Sequence, residues 1–215
     1  IKIKEKESGT QYWLMEARTS QLYKDKDEFT VLEKCTGKDL KGKRYKPLFD
    51  YFVDEYPKAF RVCNDTYVTA DSGTGIVHQA PAFGEDDMRV CIDHEIVFKG
   101  GDIPCPINSD GCFVAPVCNP EFGSVDGKPG LNVKEADKHI IKLLRSTGRL
   151  ASEGVYHHSY PFCWRSDTPL IYRAVPSWFV KVESFRDKLV ANNGKTYWVP
   201  EAVRANRFNN WLAGA

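Results

Sequence analysis

The sequence is as informative in what it lacks as in what it holds. Its 30 basic and 29 acidic residues leave a formal charge of +1. It therefore has no basic excess of the kind a general nucleic-acid binder carries, and any RNA contact must be local or shared with another part of a longer protein. No apolar run approaches membrane-spanning length, and no signal peptide opens the chain. There is no internal repeat, no low-complexity linker and no P-loop. The seven cysteines are odd in number and include no C-x-x-C pair, which points to a reducing setting with mostly buried thiols. The gaps between Cys105, Cys112 and Cys118 do not suit common structural zinc.

What is present suffices for a folded body. The 215 residues are 42% hydrophobic and 13% aromatic, enough for a real core. Residue 1 is Ile rather than Met, and the chain opens inside an alternating segment, as expected of a piece of something longer. Ile1 and Ile3 alternate with Lys2 and Lys4, Ser8-Gly9 turns, and Tyr12 and Leu14 follow; the pattern predicts a β-hairpin. A short helix is expected over 17–24, and strands over 29–35, 60–69 and 73–78. Residues 36–47 read as a lysine-rich turn, and 101–130, dense in proline and glycine, as strand and loop. Helices are expected over 85–95 and, with the best signal, 132–150. There Asn132 can cap, Glu135 completes a capping box, and Gly148 stops the helix. Residues 156–181 have strand character broken by prolines. Ser184 begins a short helix and Pro200 the last one. Strands and helices without regular alternation predict an α+β domain with a mostly antiparallel, barrel-like sheet and flanking helices.

The most specific stretch runs Gly73-Thr74-Gly75-Ile76-Val77-His78-Gln79-Ala80-Pro81-Ala82-Phe83-Gly84-Glu85-Asp86-Asp87. It is a glycine-edged strand, a rigid loop and three acids opening a helix. Glycines let a backbone or ligand approach closely. Acids in a first helical turn complement the dipole, a role that needs no site. Asp86 and Asp87, about 100° apart on a helix, cannot face the same way. A histidine at a strand end is commonly structural, and this Gly-x-Gly lacks the third glycine of a dinucleotide site. No serine has a histidine in a nucleophile arrangement.

The 73–91 stretch resembles the central motif of the editing (CP1) domain of isoleucyl-tRNA synthetases, in their eukaryotic, cytosolic form. Further blocks agree in order along nearly the whole chain: Met15-Glu16-Ala17-Arg18, Lys41-Gly42-Lys43, Pro47 to Phe52, His158 to Pro169, Pro176 to Val180, and Arg207 to Leu212. The valine and leucine enzymes share the Gly-Thr-Gly strand and the final aspartate. The isoleucine assignment rests on His78, Ala80-Pro81 and Gly84-Glu85-Asp86-Asp87.

The resemblance implies one editing domain over 1–215, inserted in a class I synthetase, with 156–215 returning toward the catalytic core. It implies hydrolysis of the ester of valyl-tRNA(Ile), and of valyl-adenylate as a further substrate. Asp87 would anchor the substrate's α-ammonium and His78 would line the side-chain pocket. Gly73, Thr74, Gly75, Ala80, Pro81 and Phe83 would form walls, with Asp86 in the substrate-binding set. Water would attack directly, helped by the substrate's own hydroxyl. No metal and no cofactor is expected for this step; ATP and magnesium serve the synthetic domain, absent from this chain. Ser166 and Asp167 stand where some relatives place a second zinc-binding cysteine. The family's threonine-rich peptide, the pocket's other wall, precedes the point where this chain begins. Expected partners are the mischarged tRNA, the rest of the synthetase chain and other synthetases in a complex, with no membrane, in the cytoplasm. Lys41, Lys43, Arg44 and Lys46 are candidates for phosphate contact or a plain solvated turn. Tyr160 to Trp178 is expected to pack in the core. Alternatives are a non-catalytic tRNA-docking fragment, and a valine-specific homologue acting on threonyl-tRNA.

Overall fold

The chain begins as its alternation predicts. In the computed structural model, which describes residues 1–70, 75–155 and 157–214, strand β1 (Lys2–Glu5) pairs antiparallel with β2 (Gln11–Trp13). Gly9, at φ +72°, turns the chain between them. The other edge of β1 takes β3 (Phe29–Glu33), so the sheet order is β2-β1-β3. Ile3 is fully buried on this sheet and packs with Leu14 and Tyr23. The expected helix after β2 is tighter than an α-helix, a 3-10 turn over Glu16–Gln21.

Helix α1 covers Glu85–Asp93 and α2 covers Val133–Ser146. Asn132 caps α2 by accepting the Lys134 N–H at 3.1 Å. Among the described residues no bond returns from Glu135, so the cap is one-sided rather than a box. Gly148, at φ +67°, follows the last turn. Ala136 of α2 is fully buried with Val117 and Phe122. Phe49, Tyr51, Phe52, Phe113 and Leu131 close around them. This aromatic cluster is the second core of the segment Ile1–Ala174, one of two compact units.

The other unit, Val175–Ala215, is helical. A 3-10 turn at Val182–Phe185 leads into α3 (Arg186–Asn193). Ser184 does not cap it; its hydroxyl donates back to the Lys181 carbonyl at 2.8 Å. The final helical stretch passes through a π-turn at Val203–Phe208 before α4 (Asn209–Ala213).

The architecture is α+β, but among the described residues the sheet has three strands and is not closed into a barrel. Several expected strands are absent. Residues 60–69 form only one bridge, Arg61 to Arg44, because Phe60 sits at φ +55°, outside strand geometry. Residues 157–180 hold one isolated bridge, Phe162 to Pro169. The expected core packing of Tyr160 to Trp178 fails as well. Phe162, Trp164, Tyr172 and Trp178 are exposed. A chain without ladder partners has no inner face on which to bury its rings. The seven cysteines are all free, yet only Cys91 is buried, against the expectation of mostly buried thiols.

Candidate functional site

The site is assembled around the first turn of α1. Phe83 N–H closes a turn onto the Ala80 carbonyl at 2.8 Å, and Ala174 N–H binds the Ala82 carbonyl at 2.7 Å. Pro81 and Ala82 are buried beneath it. Gly84 is the N-cap of α1 with no side-chain cap. A methyl group there would lie 2.6 Å from Oδ2 of Asp87. The missing side chain of Gly84 is therefore the space that the Asp87 carboxylate occupies.

Asp87 is half-buried and, among the described residues, accepts two hydrogen bonds. The Tyr67 hydroxyl donates to Oδ1 at 3.2 Å, and the Ala80 N–H donates to Oδ2, also at 3.2 Å. Gln79 Nε2 in turn donates to the Tyr67 hydroxyl oxygen. Burial, and then the charge of Asp87, pushes the Tyr67 phenol up to about 12. The phenol therefore stays protonated, and a donor, across the neutral range.

The neighbouring acids point elsewhere. Asp86 is exposed and meets Arg89 at 3.2 Å. Arg89 also grips Asp65 with two nitrogens, at 2.8 and 2.9 Å, and lies 3.5 Å from Asp93. The guanidinium holds the Asp65 carboxyl well below the usual carboxylate range. Asp65 Oδ1 accepts the Tyr67 N–H at 3.1 Å. One helix thus clamps the 65–67 turn twice, by Arg89 through the Asp65 carboxylate and by Asp87 through the Tyr67 phenol. At the far end of α1 the Arg61 guanidinium donates to the His94 carbonyl, where a cation complements the helix dipole.

The remaining expected residues scatter. Gly75 is at φ +75°, and a methyl there would come within 2.4 Å of Met15 Cβ. It is a close-packing glycine against the segment after β2. His78 is exposed, while Ala80 and Phe83 are half-buried. Gly73 and Thr74 lie outside the described residues. The structure therefore unites Asp87 with Ala80, sets Asp86 apart, and leaves His78 open to solvent. A surface hollow of about 440 Å³ lies elsewhere, beside Arg186, Val190 and Ala213. It carries no cluster of reactive groups, so Asp87 remains the better candidate on chemistry. Among the described residues no group of three His, Cys, Asp or Glu side chains could hold a metal. Of the basic turn, Lys43 sits over the Trp13 ring at 5.0 Å, and Arg44 donates to the Pro57 carbonyl at 2.9 Å.

Sequence reasoning missed Tyr67, Gln79, Asp65 and Arg89. Spacing alone places Arg89 at i+3 from Asp86 and i−4 from Asp93. Asp65, two residues before Tyr67, is a local turn signal. Nothing local joins Tyr67 to Asp87.

The model of the class I tRNA synthetases (I, L, M and V) matches residues 4–215. Over 216 residues the chain is 51% identical to the mouse cytoplasmic isoleucine–tRNA ligase, covering 100% of this chain and 16% of that one. The Caenorhabditis elegans cytoplasmic isoleucine–tRNA ligase is 49% identical over 217 residues, covering 100% of this chain and 18% of that one. The Saccharomyces cerevisiae cytoplasmic isoleucine–tRNA ligase is 43% identical over 218 residues, covering 100% and 20%. The chain thus spans a fifth or less of the length of these relatives.

Proposed function

Since the chain belongs to the class I tRNA synthetases (I, L, M and V), we propose that it is the editing module of an isoleucine-specific member, removing valine from mischarged isoleucine tRNA. A synthetic site that accepts isoleucine rejects valine weakly, because one methylene is worth only about 1–3 kcal/mol, a limit for which this very pair is the standing example. A second, hydrolytic site restores accuracy. In the reaction a water oxygen adds to the ester carbonyl, the bond to the terminal ribose oxygen breaks, and that oxygen takes a proton from the water. Valyl-adenylate is a second substrate, a mixed anhydride in which water adds to the acyl carbonyl and the bond to the AMP phosphate oxygen breaks.

The observation that carries this reading is the Asp87 carboxylate, half-buried and oriented by two donors in a turn where Asp86 is already paired. A carboxylate fixed in this way suits an α-ammonium, and charge-assisted hydrogen bonds are the strong kind. Holding the ammonium sets the position of the ester, so the gain is largely orientation. His78, exposed beside the loop, supplies bulk against isoleucine, and Gly73 to Gly75 with Ala80, Pro81 and Phe83 supply walls. Asp86, the other acid of the substrate-binding set, is held by Arg89 and would act only from the rim of the site. The hydrolysis uses water and the substrate's own hydroxyl, with no metal or cofactor. The whole of 1–215 acts as one inserted editing domain, 156–215 leading back to the catalytic core. The mischarged tRNA, the remaining synthetase chain and other synthetases are its partners. Its setting is the cytoplasm, as in the named relatives.

The test uses the full-length synthetase bearing Asp87→Ala. Loss of valyl-tRNA(Ile) deacylation with isoleucine charging retained is the expected result. Full deacylation by that variant removes Asp87 from the site, and threonyl-tRNA as the preferred substrate would transfer the chain to a valine-specific enzyme. Deacylation that never depended on this module would leave a docking role, which the exposed Trp164 and Tyr172 favour.

A further inference from the structure

We infer that Tyr67 and Gln79 are positioning residues for the Asp87 carboxylate, acting in series: the amide of Gln79 orients the phenol, and the phenol orients the carboxylate. This deepens the function proposed above and rests on it.

Proton counting supplies the argument. A phenol has one proton to donate, and a carboxylate only accepts. The 3.2 Å contact between Tyr67 and Asp87 Oδ1 therefore takes that proton. The phenol oxygen is left as an acceptor, and Gln79 Nε2 fills it. That assignment fixes which way round the Gln79 amide lies. Its Oε1 then faces away, buried and, among the described residues, without a donor. An unmatched buried amide oxygen costs free energy, but turning the amide would only set that oxygen against the phenol lone pairs while the phenol proton stays on Asp87. The arrangement keeps the amide in the orientation that aims the Tyr67 proton at Asp87.

The backbone is fixed too. Tyr67 N–H is tied to Asp65, and Asp65 is held by both Arg89 nitrogens. Each carboxylate oxygen of Asp87 has two lone-pair sites. Tyr67 fills one on Oδ1, and Ala80 N–H fills one on Oδ2. A carboxylate placed in this way suits a ligand with several N–H bonds on one atom, which is what an α-ammonium is.

The experiment measures kcat and KM for valyl-tRNA(Ile) deacylation by the full-length synthetase, with isoleucine charging and the thermal midpoint as controls. Tyr67→Phe keeps the ring and removes the proton. Hydrogen bonds to charged groups set the scale, and kcat/KM should fall about tenfold with isoleucine charging preserved and the thermal midpoint still well above the assay temperature. Gln79→Leu alone should cost about threefold on the same scale. In the Tyr67→Phe background it should add less than about twofold, because no hydroxyl remains for it to orient. Additive losses, or a Tyr67→Phe rate within about twofold of the parent while Asp87→Ala is inactive, overturn the relay and leave the site standing. If Asp87→Ala is fully active, the site and the relay fall together. Should Tyr67→Phe not fold, Gln79→Leu decides alone, an unchanged rate overturning the relay.

Discussion

Two stretches of the chain carry equally specific sequence blocks and fold in opposite ways. Around α1, residues 65–70 and 75–94 are stitched to one another. Arg89 meets three carboxylates, Asp87 holds a phenol and a backbone N–H, and Val90 is 1% exposed. Residues 157–174 keep a single bridge and leave Phe162, Trp164 and Tyr172 in solvent. Family-specific residues thus do not share one physical role. Near α1 they satisfy each other, and farther on they offer surface.

Substitutions can break this contrast. The largest expected effect on stability is Gly75→Ala, which combines a left-handed φ with a methyl inside Met15. Urea unfolding should show a loss of about 2–4 kcal/mol, and a loss below about 1 kcal/mol would mean that Met15 yields freely. Val90→Ala should cost about 2 kcal/mol by the same measurement, from lost burial and the void behind it. A smaller effect concerns pH. Tyr67 has its phenol raised from the ordinary tyrosine value to about 12 by burial and then by Asp87, so the folded state holds that proton more tightly than the unfolded one. Its contribution is complete below about pH 10, the unfolded value, and fades as pH rises toward 12. Tyr67→Phe should flatten that alkaline fall, and an identical profile would contradict the assignment. The smallest effect belongs to the other stretch. Trp164→Ala, at a residue 87% exposed, should leave the unfolding free energy of this chain within about 0.5 kcal/mol.

Legibility follows the range of the interactions. Local signals were readable: the alternation of Ile1 to Leu14 gave the hairpin, and Asn132 with the apolar stripe of α2 gave that helix. The helical angle between Asp86 and Asp87 told that they would part, and they do, one to Arg89 and the other to Tyr67. The expected strand over 60–69 failed because one residue, Phe60, takes a left-handed backbone that its composition does not announce. The Tyr67 contact spans 20 residues and has no periodic trace. The burial expected for Tyr160 to Trp178 assumed that aromatic content implies an interior, which holds only where a partner surface exists.

Arg89 has a consequence for selectivity. By gathering Asp65, Asp86 and Asp93 about one guanidinium, it offsets only one of three negative charges, so α1 keeps a net negative potential. What Arg89 removes is freedom. Three carboxylates that could swing toward a passing cation are tethered to one group. An amine drawn to the helix by charge then meets a fixed surrounding, and the geometry about Asp87 decides whether it stays.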